Sequence, residues 1–239
     1  MTGARGRALL FLAVLIVAGA IWFAQSRPGA SPFPARPPAQ RPSLLLLTGL
    51  PLLFNEDFSL SDAGSPALKR LRTRYRVVPI SVTSGFELAK ADLLMMAQPQ
   101  AQTAENLVTL DAWVRGGGRV LLFADPMLEW PSNRPLGDVL RPPPMFADTG
   151  LLGHWGLRLD APDRPGPADG RLGDYKVATL SPGTLHGSCA ITGGRLAAEC
   201  RIGKGRAIIV ADADLLNVAR DSDPNLDGML EELARLESK

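Results

Sequence analysis

The sequence predicts an α/β domain built on a mostly parallel sheet. Short, continuous apolar runs at residues 43–54, 92–97 and 206–214 are typical of strands that are buried on both faces. A strand, a helix and a strand alternate along residues 92–126. Such alternation implies parallel pairing with right-handed crossovers.

The first half of the chain contains a predicted edge strand. Pro66 suits the first position of a helix that continues to residue 75. Residues 76–82 are rich in β-branched side chains and predict a strand. Because Pro79 removes a ladder donor, we expect this strand to lie at an edge of the sheet.

The clearest unit is a helix followed by a strand. Thr103 can cap the helix, and three glycines at residues 116–118 end it. Residues 119–126 then form the strand. Helical spacing places three apolar residues on one helix face: Leu107, Leu110 and Val114.

The second half is less regular. Residues 146–159 predict a short helix and then a strand. Residues 188–202 predict a β-hairpin whose turn lies at residues 193–194. The last helix begins at Asp223, a suitable cap, with Pro224 at its first position.

The two cysteines of the chain flank the hairpin turn. A two-residue loop at residues 194–195 pairs residue 193 with residue 196 and, continuing outward, Cys189 with Cys200. Both side chains then point to the same face of the sheet. We therefore predict a disulfide between them. The alternative is a pair of buried free thiols.

The N-terminus has the pattern of a membrane anchor. Residues 8–24 carry no charge and would form about 26 Å of helix, at the short end of what spans a bilayer. Trp22 suits the far interface. We predict a transmembrane anchor over residues 1–25. A cleaved signal peptide is the alternative, although the small residues at 18–20 lie inside the apolar run.

The regions after the anchor are a spacer and one domain. Six of the seventeen residues from 26 to 42 are proline, which predicts an extended, semi-rigid spacer. A peptide ligand for a proline-binding domain is the alternative. Residues 43–239 have the size of one domain. The short basic start resembles an export signal, so we predict a single-pass inner-membrane protein with a periplasmic C-terminal domain.

A family resemblance rests mainly on the stretch TAENLVTLDAWVRGGGRVLLFADP at residues 103–126, and the opening strand, RYRVVPISV and AIIVADADLLN fit the same order. This stretch resembles the core of membrane-anchored bacterial domains that are auxiliary to ABC-type transport systems of the gliding-motility kind, and of related domains of unknown function. Their fold resembles that of class I glutamine amidotransferases. The resemblance covers residues 43–239 and implies a flavodoxin-like sheet. Together with the hairpin and the anchor predicted above, the expected fold is a flavodoxin-like, mostly parallel sheet with a β-hairpin insertion, preceded by one transmembrane helix.

The same resemblance argues against catalysis. An active amidotransferase of this class has a nucleophilic Cys on a tight turn after a central strand and a His later. The corresponding residues, 92–103, contain neither Cys nor Ser. Neither His154 nor His186 stands beside a nucleophile motif. We predict no catalytic residues and no cofactor.

Polar residues follow three of the predicted strands. Parallel strands direct their carboxyl ends to one edge of the sheet, where ligands usually bind. The competing interpretation is that these groups cap helices and fix loops. The candidate ligand-binding residues are Asn55, Glu56, Asp57, Asp125, Asp212 and Asp214.

Other polar and aromatic residues have ordinary explanations. Residues 221–228 superficially resemble a calcium loop, but Leu226 replaces the required glycine, so we predict a helix cap and no metal site. Three tryptophans are assigned to the core or its rim: Trp113, Trp130 and Trp155. Four cations are assigned to solvated strand ends: Arg119, Arg201, Lys204 and Arg206.

These observations predict a non-catalytic binding or scaffold domain beside a transporter or another envelope complex. Its expected partners are the membrane and other membrane or envelope proteins. A net charge of +2 without a basic stripe argues against nucleic acid. The alternative is a hydrolase that uses the carboxylates at the sheet edge.

Overall fold

A computed structural model describes residues 32–54 and 64–238. The predicted anchor, residues 1–25, lies outside the described residues. Within the part of the chain that is described, no helix is long and apolar enough to cross a membrane. A compact unit begins at Phe33 and contains all the elements described below.

Eleven strands and five α-helices form this unit within the described residues. The strands are β1 (Ser43–Thr48), β2 (Arg76–Pro79), β3 (Leu93–Ala97), β4 (Arg119–Phe123), β5 (Leu157–Asp160), β6 (Pro167–Leu172), β7 (Tyr175–Leu180), β8 (Thr184–Gly187), β9 (Ala190–Thr192), β10 (Ala197–Ile202) and β11 (Gly205–Val210). The helices are α1 (Pro66–Arg72), α2 (Gly85–Leu88), α3 (Ala104–Arg115), α4 (Leu151–His154) and α5 (Pro224–Glu237).

The main sheet has seven strands in the order β2-β1-β3-β4-β11-β10-β9. The first five are parallel, and β10 and β9 are antiparallel to their neighbours. Counting only the parallel strands gives the order 2-1-3-4-5 of flavodoxin-like sheets, with the switch point between β1 and β3. The predicted α/β class with a mostly parallel sheet is confirmed, and β2 lies at an edge as Pro79 predicts.

The predicted hairpin insertion needs a correction. Strands β9 and β10 do form a hairpin, but β10 also pairs with β11, so the hairpin continues the main sheet. Its register pairs Thr192 with Ala197 and thereby brings Cys189 opposite Cys200. The structure bonds these two cysteines, with Cα atoms 4.8 Å apart.

Two apolar clusters cover the two faces of the main sheet. In β1, Leu44 and Leu46 point to the cluster that contains α1 and α5. Leu45 and Leu47 point to the opposite cluster, which contains α3 and α4. This alternation along a strand buried on both faces explains the continuous apolar run.

Part of the predicted spacer packs on the domain. The Arg36 guanidinium forms an ion pair with Glu237 at 2.8 Å, and the Arg74 guanidinium donates to the Pro34 carbonyl at 2.8 Å. The rings of Phe33 and Tyr175 lie 5.9 Å apart. The compact unit therefore starts ten residues before the boundary that the proline content predicts.

Candidate functional site

Asp125 follows β4 at the carboxyl edge of the sheet and is fully buried. Its Oδ1 accepts the N–H of Met127 at 2.8 Å, and its Oδ2 accepts the N–H of Ala213 at 2.8 Å. One carboxylate therefore joins the loop after β4 to the loop after β11. The sheet order brings these two loops together, because β4 and β11 are neighbours.

Asp212 and Asp214 stand in the loop after β11 and make similar contacts. Asp212 accepts the N–H of Leu215 at 2.7 Å through Oδ1 and the N–H of Leu180 at 2.9 Å through Oδ2. The Oδ2 of Asp214 accepts the N–H of Glu129 at 2.8 Å. The three aspartates gather at one edge, where their oxygens bind loop backbone.

Burial makes the ionised forms of these carboxyls costly. Burial, together with the nearby charge of Asp125, raises the pKa of Asp212 to about 8. Burial raises the pKa of Asp214 to about 6, although the Glu129 N–H partly offsets this. The pKa of Asp125 is raised by the same cause. Backbone N–H donors favour the charged form, but desolvation outweighs them here.

Gln98 completes this buried cluster from the end of β3. Its Nε2 donates to the carbonyls of Asp125 at 3.0 Å and Pro143 at 3.1 Å, and its Oε1 accepts the N–H of Asp125 at 2.9 Å. The backbone of Gln98 has a φ of +43°. This is the turn where the amidotransferase resemblance would place a nucleophile, and an amide with every hydrogen-bonding group in use occupies it.

The other three candidate residues lie outside the described residues: Asn55, Glu56 and Asp57. His154 is within 3.4 Å of Asp111, and His186 is within 3.2 Å of Asp160. In the part of the chain that the structure describes, no group of three or more His, Cys, Asp or Glu side chains is placed to hold a metal ion.

Besides Gln98, sequence reasoning missed two polar residues that support the cluster. Asn225 at the start of α5 accepts the Ala178 N–H at 2.8 Å and donates to the Ala178 carbonyl at 2.9 Å. Ser181, whose φ is +51°, donates to the carboxylate of Glu129. These contacts connect segments far apart in the sequence, so no local pattern marks them.

A small crevice opens at the switch point between β1 and β3. Its volume is about 240 Å³, and its lining is largely apolar. Gly49 allows the turn after β1 to approach the turn after β3, because an added Cβ would lie 2.4 Å from the Gln98 carbonyl oxygen. Side chains that line the crevice include Leu53, Phe54, Gln100, Val139 and Leu140.

The loop of residues 127–145, hereafter the apolar loop, borders this crevice. Nine large hydrophobic side chains are exposed in the described part of the chain, and five of them lie on this loop. Leu136 and Val139 are each 82% exposed. The five are Met127, Leu136, Val139, Leu140 and Met145.

Solved structures resemble this chain in fold. The N-terminal domain of mmIFT52 is 12% identical, with a TM-score of 0.54, and the match covers 82% of this chain and 98% of that one. The exo-β-1,4-mannosidase Op5Man5 from Opitutaceae bacterium strain TAV5 is 13% identical, with a TM-score of 0.50 over 82% of this chain. The match covers only 36% of the mannosidase. At such identities the likeness concerns the fold alone.

The protein is an α/β domain in which Asp125, Asp212 and Asp214, at the carboxyl edge of the sheet, hold loops in place. No curated protein matches the sequence. Residues 41–162, half of the chain, match the family described as ABC-type uncharacterized transport system. The chain belongs to this family.

Proposed function

We propose that this chain is a non-catalytic, membrane-anchored binding component of an ABC-type transport system, and that its apolar loop docks another component of that system. One observation carries the proposal. The strand-end carboxylates hold the base of a loop that exposes a concentration of large hydrophobic side chains. Exposed apolar side chains concentrated in one segment are typical of protein–protein contact sites.

The apolar loop is fixed at both of its ends. Met127 donates to Asp125 and Glu129 donates to Asp214 at the start of the loop. At its end, the carbonyls of Pro143 and Pro144 accept from the Gln98 amide and from the Leu128 N–H. A loop held in this way loses little conformational entropy on binding, so it is preorganised for a partner.

The expected partner surface is an apolar segment of a membrane component. Val139 and Leu140 lie beside the switch-point crevice, whose volume of about 240 Å³ can receive a large side chain. The rim of the crevice includes Arg134 and Gln100, which can bind polar groups at the edge of such a segment. An apolar centre with a polar rim is the usual anatomy of an interface.

We also propose inner-membrane anchoring through residues 1–25 and a periplasmic position for the domain. The bond between Cys189 and Cys200 supports this position, because disulfides persist in oxidising compartments.

We also propose that the domain is of the amidotransferase-like, gliding-motility kind. The strand order 2-1-3-4-5 and the tight turn at Gln98 agree with an amidotransferase-like auxiliary domain of the gliding-motility kind. The hydrolase alternative has less support. Each oxygen of Asp125 and Asp212 already accepts a backbone N–H.

Photo-crosslinking in cells tests the docking proposal. A crosslinker at position 136 of the full chain should capture a membrane or ATP-binding component of a transport system. A crosslinker at position 108 is the matched control, because Val108 is also a hydrophobic residue and is 70% exposed, but lies on α3. Equal capture of the same component at both positions would refute docking through the loop.

A further inference from the structure

A large cleft in the described part of the chain lies at the opposite, amino-terminal edge of the sheet. Its volume is about 840 Å³. Two glycine-rich turns form its walls, at residues 116–118 and 203–205. The side chains that line it are Asp92, Trp113, Arg119, Arg201, Lys204, Arg206 and Ser238.

The two glycine-rich turns are packed directly on one another. An added Cβ at Gly205 would lie 2.1 Å from the Val114 carbonyl oxygen, and one at Gly203 would lie 2.8 Å from the Arg115 carbonyl oxygen. The Lys204 N–H donates to the same Arg115 carbonyl at 3.0 Å. These backbone contacts hold the walls of the cleft in place.

Strand register brings three arginines into one row across this edge. Arg119 on β4 pairs with Arg206 on β11, and Arg206 pairs with Arg201 on β10. Residues paired in this way point to the same face of a sheet. The sequence conceals the row because the three residues belong to three different strands.

Two of these arginines have structural roles. The Arg119 guanidinium donates to the carbonyls of Leu236 and Glu237 at 3.2 Å, at the carboxyl end of α5. Arg206 donates to the carbonyls of the same helix end and forms a 3.4 Å ion pair with Glu199. They thereby offset the negative end of the helix.

Arg201 and Lys204 are exposed and have no such role in the described part of the chain. Neither makes a side-chain hydrogen bond or an ion pair there. Arg119 binds backbone carbonyls and forms no ion pair in the described part of the chain, so only the partial charge of the helix end offsets its charge. Against these three cations the lining contains one carboxylate, Asp92, which leaves the cleft with a positive charge.

We propose that this cleft binds a phosphate-bearing ligand, with Arg201 and Lys204 as its phosphate-binding residues. A guanidinium donates two parallel N–H groups to phosphate oxygens, and an ammonium adds a point charge. An excess of about two positive charges matches a phosphate group better than a single carboxylate. A lipid headgroup and a soluble phosphate ester are the two sources of such a phosphate, and both present the same chemistry to the cleft.

Titration calorimetry of the full chain in zwitterionic detergent tests the site, with inorganic pyrophosphate as the probe. We expect saturable binding of one pyrophosphate per chain. The double variant R201A/K204A should weaken it by about tenfold or more, because two charge-assisted contacts are lost. The control K69A/K176A removes the same charge from two exposed lysines outside the cleft and should leave binding unchanged.

A second arm identifies the source of the phosphate. The same titration is repeated in nanodiscs of phosphatidylcholine, with and without phosphatidylglycerol. Weaker pyrophosphate binding in phosphatidylglycerol discs, to the same extent in K69A/K176A, supports a lipid headgroup. Equal binding in both discs supports a soluble phosphate ester. Absence of saturable binding in phosphatidylcholine discs and in detergent, or equal weakening by K69A/K176A, would overturn the proposal.

Discussion

Gln98 and Asp125 are joined by hydrogen bonds in both directions at the buried ends of β3 and β4. The Gln98 amide donates to the Asp125 carbonyl at 3.0 Å, and the Asp125 N–H donates to the Gln98 amide oxygen at 2.9 Å. The side-chain amide of Gln98 thus forms hydrogen bonds with the backbone of Asp125 like those between paired strands. It fixes the point where the chain leaves β4 and enters the segment that carries the apolar loop.

Replacement of Gln98 by alanine should destabilise the domain by about 2–4 kcal/mol. The substitution leaves the buried N–H of Asp125 without its partner, and a buried unpaired donor is costly. Urea unfolding measures the change. Gln100→Ala is the matched control, since Gln100 is exposed, and should change stability by less than about 0.5 kcal/mol. Equal effects of the two substitutions would contradict the assigned role.

The buried aspartates predict that stability falls as pH rises. The folded-state pKa of Asp212 is about 8, above the unfolded value of about 3.9, so the folded state binds the proton more tightly. The stabilising contribution of this group is complete below about pH 4 and is lost as pH rises through about 8. Asp214, with a pKa of about 6, acts in the same direction over a narrower range. The free energy of unfolding should therefore be lower at pH 8.5 than at about pH 5.

Asp212→Asn isolates the contribution of this carboxyl. The variant does not titrate at residue 212, so its free energy of unfolding should depend less on pH between about 5 and 8 than that of the native chain. Asp169→Asn is a suitable control, because Asp169 is exposed on β6. Urea unfolding at several pH values measures the slopes. A native slope retained in Asp212→Asn would show that Asp212 is not the group responsible.

Reduction of the bond between Cys189 and Cys200 should lower stability by about 2–3 kcal/mol. The bond closes a loop of about twelve residues and restricts the unfolded chain. Unfolding with and without a reducing agent measures the loss, and the C189A/C200A variant should not respond to the reductant. Two free thiols in the unfolded, unreduced protein would exclude the bond.

The elements of the main sheet could be predicted because their signals are local. Thr103, whose side chain accepts the Asn106 N–H at 3.3 Å, marks the start of α3 in the sequence itself. Asp223 likewise accepts the Asn225 N–H at 3.0 Å at the start of α5. The hairpin register also follows from sequence, since the glycine turn alone sets which residues face each other.

The candidate site could be predicted only in part. Asp125, Asp212 and Asp214 were identified because each directly follows a strand, but their backbone partners depend on how loops fold. Asn225 contacts Ala178 on β7, and Ser181 directly follows β7. The sequence does not predict the pairing of β7 with β6, because most positions of β6 are exposed and show no strand pattern. The cationic cleft was missed because Arg119, Arg201 and Arg206 meet only through strand pairing.

Co-purification tests docking through the apolar loop most directly. The variant L136D/V139D places two charges on side chains that are each 82% exposed, so the fold should be unaffected while an apolar contact becomes unfavourable. The control F86D/V108D makes the same change at two other exposed hydrophobic residues. After crosslinking in membranes, we expect L136D/V139D to lose the transport-system component that the native chain and F86D/V108D retain. Retention of that component by L136D/V139D, with the fold intact by circular dichroism, would contradict the proposed function.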